Sequence, residues 1–314
     1  MTWPSPPGTA ITEGPLSPEL AIAVQELAAA ATRADGVAPL SEDVLLQVRH
    51  GSGARARDLV LTAPDGALAG YAHLDAPDAD PQDDDASGEL LVHPDFRRRG
   101  YGAALSAALS AGGTGVRLWA HGELPGAVGL AKAAGFTRFR ALWQMRMPLA
   151  GVPAGDPVLP AGVTLRTFSP GADEEAWLAV NGRAFSHHPE QGSWTRGDLE
   201  LREAEPWFDP AGFFLAERDG RLAGFHWTKV HSAGGAGGAP IGEVYVVGVD
   251  PGQQGGGLGR ALTLAGLGYL RDRGLADVML YVDEENTAAV KMYTALGFRH
   301  WSTDAMYRNA GVTA

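Results

Sequence analysis

The chain has 314 residues, 45% hydrophobic and 20% charged, with a formal net charge of −12. That length suits two domains, and the apolar content is too high for a disordered chain. The acidic balance argues against nucleic acid, whose phosphates need a basic face. With no cysteine, disulfides, thiolate metal sites and a cysteine nucleophile are excluded. No apolar run reaches the roughly 18 residues of a membrane span. Met1-Thr2-Trp3-Pro4-Ser5-Pro6-Pro7 lacks the basic and apolar regions of a signal peptide. A cytoplasmic monomer without membrane or nucleic-acid partners is expected.

Ser17-Pro18 signals a helix over 20–32, and Ser41 is placed to cap a helix over 42–49. Strands at 58–62 and 68–74 flank the turn Pro64-Asp65-Gly66. A loop over 78–87 precedes a strand at 90–92, a helix from about Arg98 to Ser110, a strand at 116–120 and a helix at 127–134. The Gly/Pro-rich stretch 150–157 suits a linker. The pattern then returns: helix 174–185, hairpin 213–230 around Asp219-Gly220, loop 234–238, strand 243–249, helix 258–273, strand 278–282 and helix 287–296.

The return is a repeat. Val92-His93-Pro94 followed by Arg97-Arg98-Arg99-Gly100-Tyr101-Gly102 matches Val249-Asp250-Pro251 followed by Gln254-Gly255-Gly256-Gly257-Leu258-Gly259, at an offset of 157. Gly135-Phe136 matches Gly297-Phe298 at an offset of 162. Two ordered matches indicate a tandem duplication, with domains 1–150 and 151–314. Each glycine turn lies between a strand and a helix. Glycine lets the backbone approach an anion, and the N–H groups of a helix start point at it. Neither turn carries the Gly-Lys-Ser/Thr of a Walker A loop or the Gly-x-Gly-x-x-Gly of a dinucleotide fold. One such turn reads equally well as a plain helix entry; two at matching places favour a pyrophosphate.

These turns, with Asn286, Ala289, Tyr293 and Gly297-Phe298, resemble the GCN5-related N-acetyltransferase family. Ala34-Asp35-Gly36-Val37-Ala38-Pro39, His188-Pro189-Glu190-Gln191-Gly192, Trp207-Phe208-Asp209-Pro210, Gly224-Phe225-His226-Trp227-Thr228-Lys229-Val230 and Gly242-Glu243-Val244-Tyr245-Val246 resemble its tandem mycothiol synthase branch over nearly the whole chain. The resemblance implies an α/β fold of α+β type: two tandem acetyltransferase domains, each a mixed, mostly antiparallel sheet flanked by helices. It implies acetyl-CoA as co-substrate, no metal, and a small pseudodisaccharide as partner. Acetyl would pass to the cysteinyl amine of cysteinyl-glucosaminyl-inositol, the last step of mycothiol biosynthesis. Implied coenzyme contacts are Leu90, Leu91, Val92, Arg98, Arg99, Gly100, Tyr101, Gly102 and Ala103 in the first copy. In the second they are Val247, Gly248, Val249, Gln254, Gly255, Gly256, Gly257, Leu258, Gly259 and Arg260, then Asn286, Thr287, Ala288, Ala289, Val290 and Lys291. Implied acceptor contacts are Asp35, Glu190, Lys229, Glu243 and Tyr281.

Amide formation from a thioester needs a neutral amine, a polarised carbonyl, an acid for the thiolate and two substrates held in reach. The resemblance assigns amine deprotonation to Glu243 and thiolate protonation to Tyr293. Read alone, Glu243 is also a strand-edge carboxylate, Tyr293 a packed core tyrosine, Asn286 a helix N-cap, Asp35 a turn residue, Glu190 a loop charge and Lys229 a strand-exit charge. His187-His188 have no third ligand at helical spacing and read as loop histidines. At the repeat offsets Glu243 corresponds to Ala86, Asn286 to Leu124 and Tyr293 to Ala131. The first copy is therefore expected to bind coenzyme A without catalysing. The second turn departs from the family in having Gly255-Gly256 where basic residues are usual, which predicts weaker coenzyme binding. Two alternatives are an acetyltransferase for another small amine, opposed by the segments 188–191 and 225–230, and a non-catalytic acetyl-CoA-binding regulator, opposed by Glu243 and Tyr293.

Overall fold

A computed structural model describes residues 7–52, 56–75, 85–112, 115–186 and 191–309. The first half runs β1 (Ala10–Glu13), α1 (Pro18–Asp35), α2 (Glu42–His50), β2 (Arg57–Thr62), β3 (Leu68–Leu74), β4 (Ala86–Val92), α3 (Tyr101–Leu109), β5 (Val116–Ala120), α4 (Pro125–Ala133) and β6 (Thr137–Pro148). The second runs β7 (Val163–Thr167), α5 (Glu174–Ala184), α6 (Arg196–Glu203), β8 (Phe213–Arg218), β9 (Arg221–His231), β10 (Ile241–Val249), α7 (Leu258–Asp272), β11 (Asp277–Asp283), α8 (Thr287–Leu296) and β12 (Arg299–Asn309).

Capping chemistry sets several of these ends. Ser17 accepts from the Leu20 N–H at the start of α1, which stops at left-handed Gly36. Ser41 accepts from the Val44 N–H at the start of α2. Thr195 and Asp198 form a reciprocal capping box on α6. No helix among the described residues is long and apolar enough to cross a membrane.

The compact units cut across the order of the copies. One holds the chain to Leu142 together with the segment from Ser302; the other holds Trp143–Trp301. In the first, the strand order is β1-β2-β3-β4-β5-β12, antiparallel throughout except for the parallel β4–β5 pair. In the second the order is β7-β8-β9-β10-β11-β6; β7, β8, β9 and β10 pair antiparallel and β10–β11 parallel. Each copy is thus completed by the other copy's last strand. Ala305 and Tyr307 of β12 pack with Leu59, Leu61 and Leu105. Met145 and Met147 of β6 pack with Leu267, Leu280 and Tyr293. The boundary at 150/151 follows the repeat along the sequence, and β6 and β12 are equivalent in that repeat. Equivalence says that either strand fits; it does not say which sheet each one closes.

Strand alternation puts helices on both faces of each sheet. In the first unit Leu59 and Leu61 face α3, while Val60 and Tyr71 face α1 and α2. In the second, Phe213, Phe225 and Trp227 pack on Trp177 of α5, and Ala216 and Ala223 pack on Leu258 and Leu262 of α7. Two local expectations are corrected. Ala86 and Ser87, expected in a loop, begin β4. The helix expected from Arg98 begins at Tyr101, because Arg98 (φ 63°) and Gly100 (φ 90°) are left-handed and cannot continue a right-handed helix. β1, β6, β7, α6 and β12 were not anticipated.

Candidate active site

Both glycine turns share one construction. After β10, Asp250 accepts from the Gly252 N–H ahead of a 3-10 turn at Pro251–Gln253. After β4, His93 accepts from the Asp95 N–H ahead of a 3-10 turn at Pro94–Phe96. Gln254 Nε2 then donates back to the Val249 carbonyl at 3.4 Å, as Arg97 Nε does to the Val92 carbonyl at 3.2 Å. Gly257 (φ 82°) and Gly100 (φ 90°) open α7 and α3 with no side-chain cap. The first-turn N–H groups therefore keep their capacity for an anion, and the helix dipole adds to it. Gly255 (φ 87°) stands at the place of Arg98 (φ 63°). Glycine occupies this left-handed position at no steric cost, whereas arginine is strained there. The second turn thus exchanges a charge for an unstrained backbone.

The central strand prepares the next contacts. β10 pairs with β11 only over Gly242–Val244, while its ladder with β9 continues to Val249. A register shift between Val244 and Val246 bulges Tyr245 out of that ladder. Among the described residues, Val247, Gly248 and Val249 therefore have one edge without a strand partner. Such an edge offers N–H and C=O groups to an extended, amide-bearing ligand. In the first unit β4 parts from β5 after Gly88 in the same way, without a bulge.

Glu243 lies at the paired end of β10, opposite Lys229 on β9 and Met279 on β11. Its side chain is buried, and His231 Nε2 sits 2.6 Å from Oε2. Burial alone would raise its pKa. The His231 hydrogen bond and the charges of His231 and Lys229 outweigh burial, holding the carboxyl below the usual range. Lys229 is buried too, its Nζ 4.1 Å from the Trp207 ring centroid and 5.0 Å from that of Tyr245. It is more than a charge marking a strand's exit to water.

Tyr293 is buried on α8, edge-on to Phe298 with centroids 5.7 Å apart. Burial drives its pKa upward. Asn286 caps α8 by accepting from the Ala289 N–H at 3.1 Å, so the structural role open to it is filled. Thr287, Ala288, Ala289, Val290 and Lys291 form the first turn and a half of that helix. Tyr281 is 41% exposed on β11, and its hydroxyl accepts from Gln144 Nε2 at 2.7 Å.

Asp35, the last residue of α1, holds Arg97 with both oxygens at 2.7 Å. Within its unit it is an ion-pair partner of the glycine turn. Glu190 lies outside the described residues, as do His187 and His188. Sequence reasoning missed His231 and the Trp207–Tyr245 pair around Lys229. His231 follows the 224–230 segment directly, and it lies two positions after Lys229 along one strand; that spacing, which places both on one face, was the available signal.

Residues 181–298 match the Acetyltransferase (GNAT) family. The mycothiol acetyltransferase of Thermobispora bispora is 62% identical over 287 residues, covering 91% of this chain and 95% of that protein. That of Streptomyces avermitilis is 55% identical, covering 98% and 97%. The chain belongs to the mycothiol acetyltransferase family. Its fold is the GNAT fold in tandem. A tandem GNAT protein from the clavulanic acid biosynthesis pathway superposes with a TM-score of 0.71 at 22% identity, over 97% of this chain and 100% of that one. A GCN5-related N-acetyltransferase from Sphaerobacter thermophilus gives 0.63 at 28%, over 95% of each. Mycothiol acetyltransferases are acetyl-CoA-dependent, and the uncapped α7 start and the open edge of β10 fit a pyrophosphate followed by an amide-bearing arm. Among the described residues no three or more His, Asp or Glu side chains gather to hold a metal ion.

Proposed function

We propose that the chain transfers acetyl from acetyl-CoA to the cysteinyl amine of cysteinyl-glucosaminyl-inositol, and that the second copy carries the chemistry. The observation that carries this reading is the buried Glu243 carboxylate, which stands on the strand that leads into the uncapped α7 turn and is anchored by His231 of the neighbouring strand β9. Bound acetyl-CoA supplies the acyl group as a thioester. The first-turn N–H groups of α7, with Arg260, hold its pyrophosphate. The open edge of Val247–Val249 aligns the pantetheine arm and donates to the thioester carbonyl.

Glu243 accepts one proton from the acceptor's amine. The freed nitrogen lone pair forms the C–N bond to the thioester carbon. As the adduct collapses, the C–S bond breaks and the nitrogen's second proton passes to water, from which the Tyr293 phenolate is afterwards reprotonated. Tyr293, kept protonated by burial, gives its hydroxyl proton to the departing thiolate. Lys229, Glu243 and Tyr281 supply acceptor contacts from one unit.

The first copy, in this reading, binds coenzyme A through the uncapped α3 turn and does not catalyse. It has Ala86 and Ala131 at the places of base and acid, and Leu124 heads α4 without a side-chain cap where Asn286 caps α8. Thiol release from acetyl-CoA tests the assignment. Release with cysteinyl-glucosaminyl-inositol and little with unrelated amines is expected. Turnover confined to other amines contradicts the acceptor, and no turnover with any amine contradicts the enzyme.

A further inference from the structure

The base proposed above is half of a pair. Glu243 Oε2 lies 2.6 Å from His231 Nε2, and the two side chains differ in access to water: Glu243 is 9% exposed and His231 30%. A carboxylate only accepts, so Nε2 carries the hydrogen in this bond. The bond ties Oε2 to the neighbouring strand β9 and so fixes how the carboxylate is presented.

Charged and polar groups from three strands surround the pair. On β9, Lys229 lies two residues back and opposite Glu243. On β10, Tyr245 faces Lys229. On β6, Arg146 donates to the Gly234 carbonyl, in the turn just beyond His231, and feels the field of Tyr281 and Asp277 on β11. Glu243 already has the buried Lys229 cation acting on it. The hydrogen bond from His231 adds to that field in holding the carboxyl in its charged form.

We propose that His231 is a positioning residue for acetyl transfer: its Nε2–H fixes the Glu243 carboxylate in the orientation that takes the amine proton. One proton leaves the amine nitrogen for the carboxylate, the electron pair stays on nitrogen, and the proton then passes to water. The inference rests on the reading of Glu243 as base, and its test separates the two.

His231→Phe, His231→Gln and Glu243→Gln are assayed with acetyl-CoA and cysteinyl-glucosaminyl-inositol from pH 6 to 9, with coenzyme A binding as the control for folding. His231→Phe removes the donor and is expected to lower kcat roughly 10- to 100-fold, the scale of a hydrogen bond to a charged group, with the KM for acetyl-CoA unchanged. His231→Gln keeps an N–H donor but cannot ionise. It is expected to recover most of kcat, a rescue that a merely space-filling role would not give. Wild-type kcat and pH profile in both His231 variants, with Glu243→Gln inactive, overturn the role of His231 and leave the base in place. Wild-type turnover in Glu243→Gln overturns both.

Discussion

Tyr293 and Glu243 are both buried, and the same loss of water acts on them with opposite results. Nothing offsets desolvation at Tyr293, so its proton is held more tightly. At Glu243 the His231 hydrogen bond and the neighbouring charges reverse the effect. An acid that keeps its proton and a carboxylate that stays charged are what the two proposed roles require at neutral pH. Tyr293→Phe discriminates sharply, because it preserves the ring that packs against Phe298 and removes only the hydroxyl. A kcat roughly 10²-fold lower, with intact folding, is expected of a lost general acid; wild-type kcat would reduce Tyr293 to a core side chain. His226, in the segment that most resembles the family, is a different case. Its Nδ1 lies 2.7 Å from the Leu262 carbonyl, and burial pulls its pKa down to about 4. Its ring fills the space beside Gly266, where an added Cβ would stand 2.1 Å from Cε1. It packs β9 on α7 as a neutral ring.

At the scale of elements, the two glycine turns provide a paired experiment. Gly100 and Gly257 have φ of 90° and 82°, so valine at either is strained by about 1–3 kcal/mol and displaces the helix start. Gly257→Val is expected to raise the KM for acetyl-CoA. Gly100→Val is expected to remove coenzyme A binding from the first copy, read by titration calorimetry, with kcat nearly intact. Loss of turnover in a folded Gly100→Val would contradict the division of labour between copies. The elements also show what the sequence could reveal. Capping serines, the Pro64–Gly66 turn and the strand–glycine–helix passages depend on local interactions, and they were legible. β7 (Val163–Thr167) was missed although Val163-Thr164-Leu165-Arg166 alternates, because it has only five residues and buries only Val163. α6 was missed because its sequence, Arg-Gly-Asp-Leu-Glu-Leu-Arg-Glu, buries little beyond Leu199 and Arg202 and depends on its capping box. β6 and β12 are long strands, but their destinations are set by pairing with residues distant in sequence. The same limit hid the site: Lys229 and Glu243 were visible singly, while the His231 contact exists only because β9 and β10 pair in this register.

Over the whole molecule, the units differ in where they keep charge. In the first, Asp58 and Asp75 flank His73 at 2.8 and 3.1 Å, and Asp304 and Glu89 flank His121 at 3.0 and 3.1 Å. Burial alone would strip both rings of their protons, but the paired carboxylates prevail and push the pKa values up to about 9 and about 10. Folded values above the ordinary 6.5 mean stabilisation that is complete below pH 6.5 and is lost as pH rises through 9 to 10. The second unit holds the opposite case. With His226 lowered to about 4, stability falls as pH drops from 6.5 towards 4. Hydrogen exchange at pH 7 and about 9.5, corrected for the intrinsic rate, should therefore show β2–β5 losing protection while β8–β11 keep theirs; equal loss in both would contradict the buried imidazolium ions. The central claim is that a duplicated fold does its chemistry in one copy, through Glu243. Its most direct test is the kcat of Glu243→Ala for thiol release with acetyl-CoA and cysteinyl-glucosaminyl-inositol. A fall of roughly 10²–10⁴ with coenzyme affinity unchanged is predicted, and a wild-type rate would contradict it.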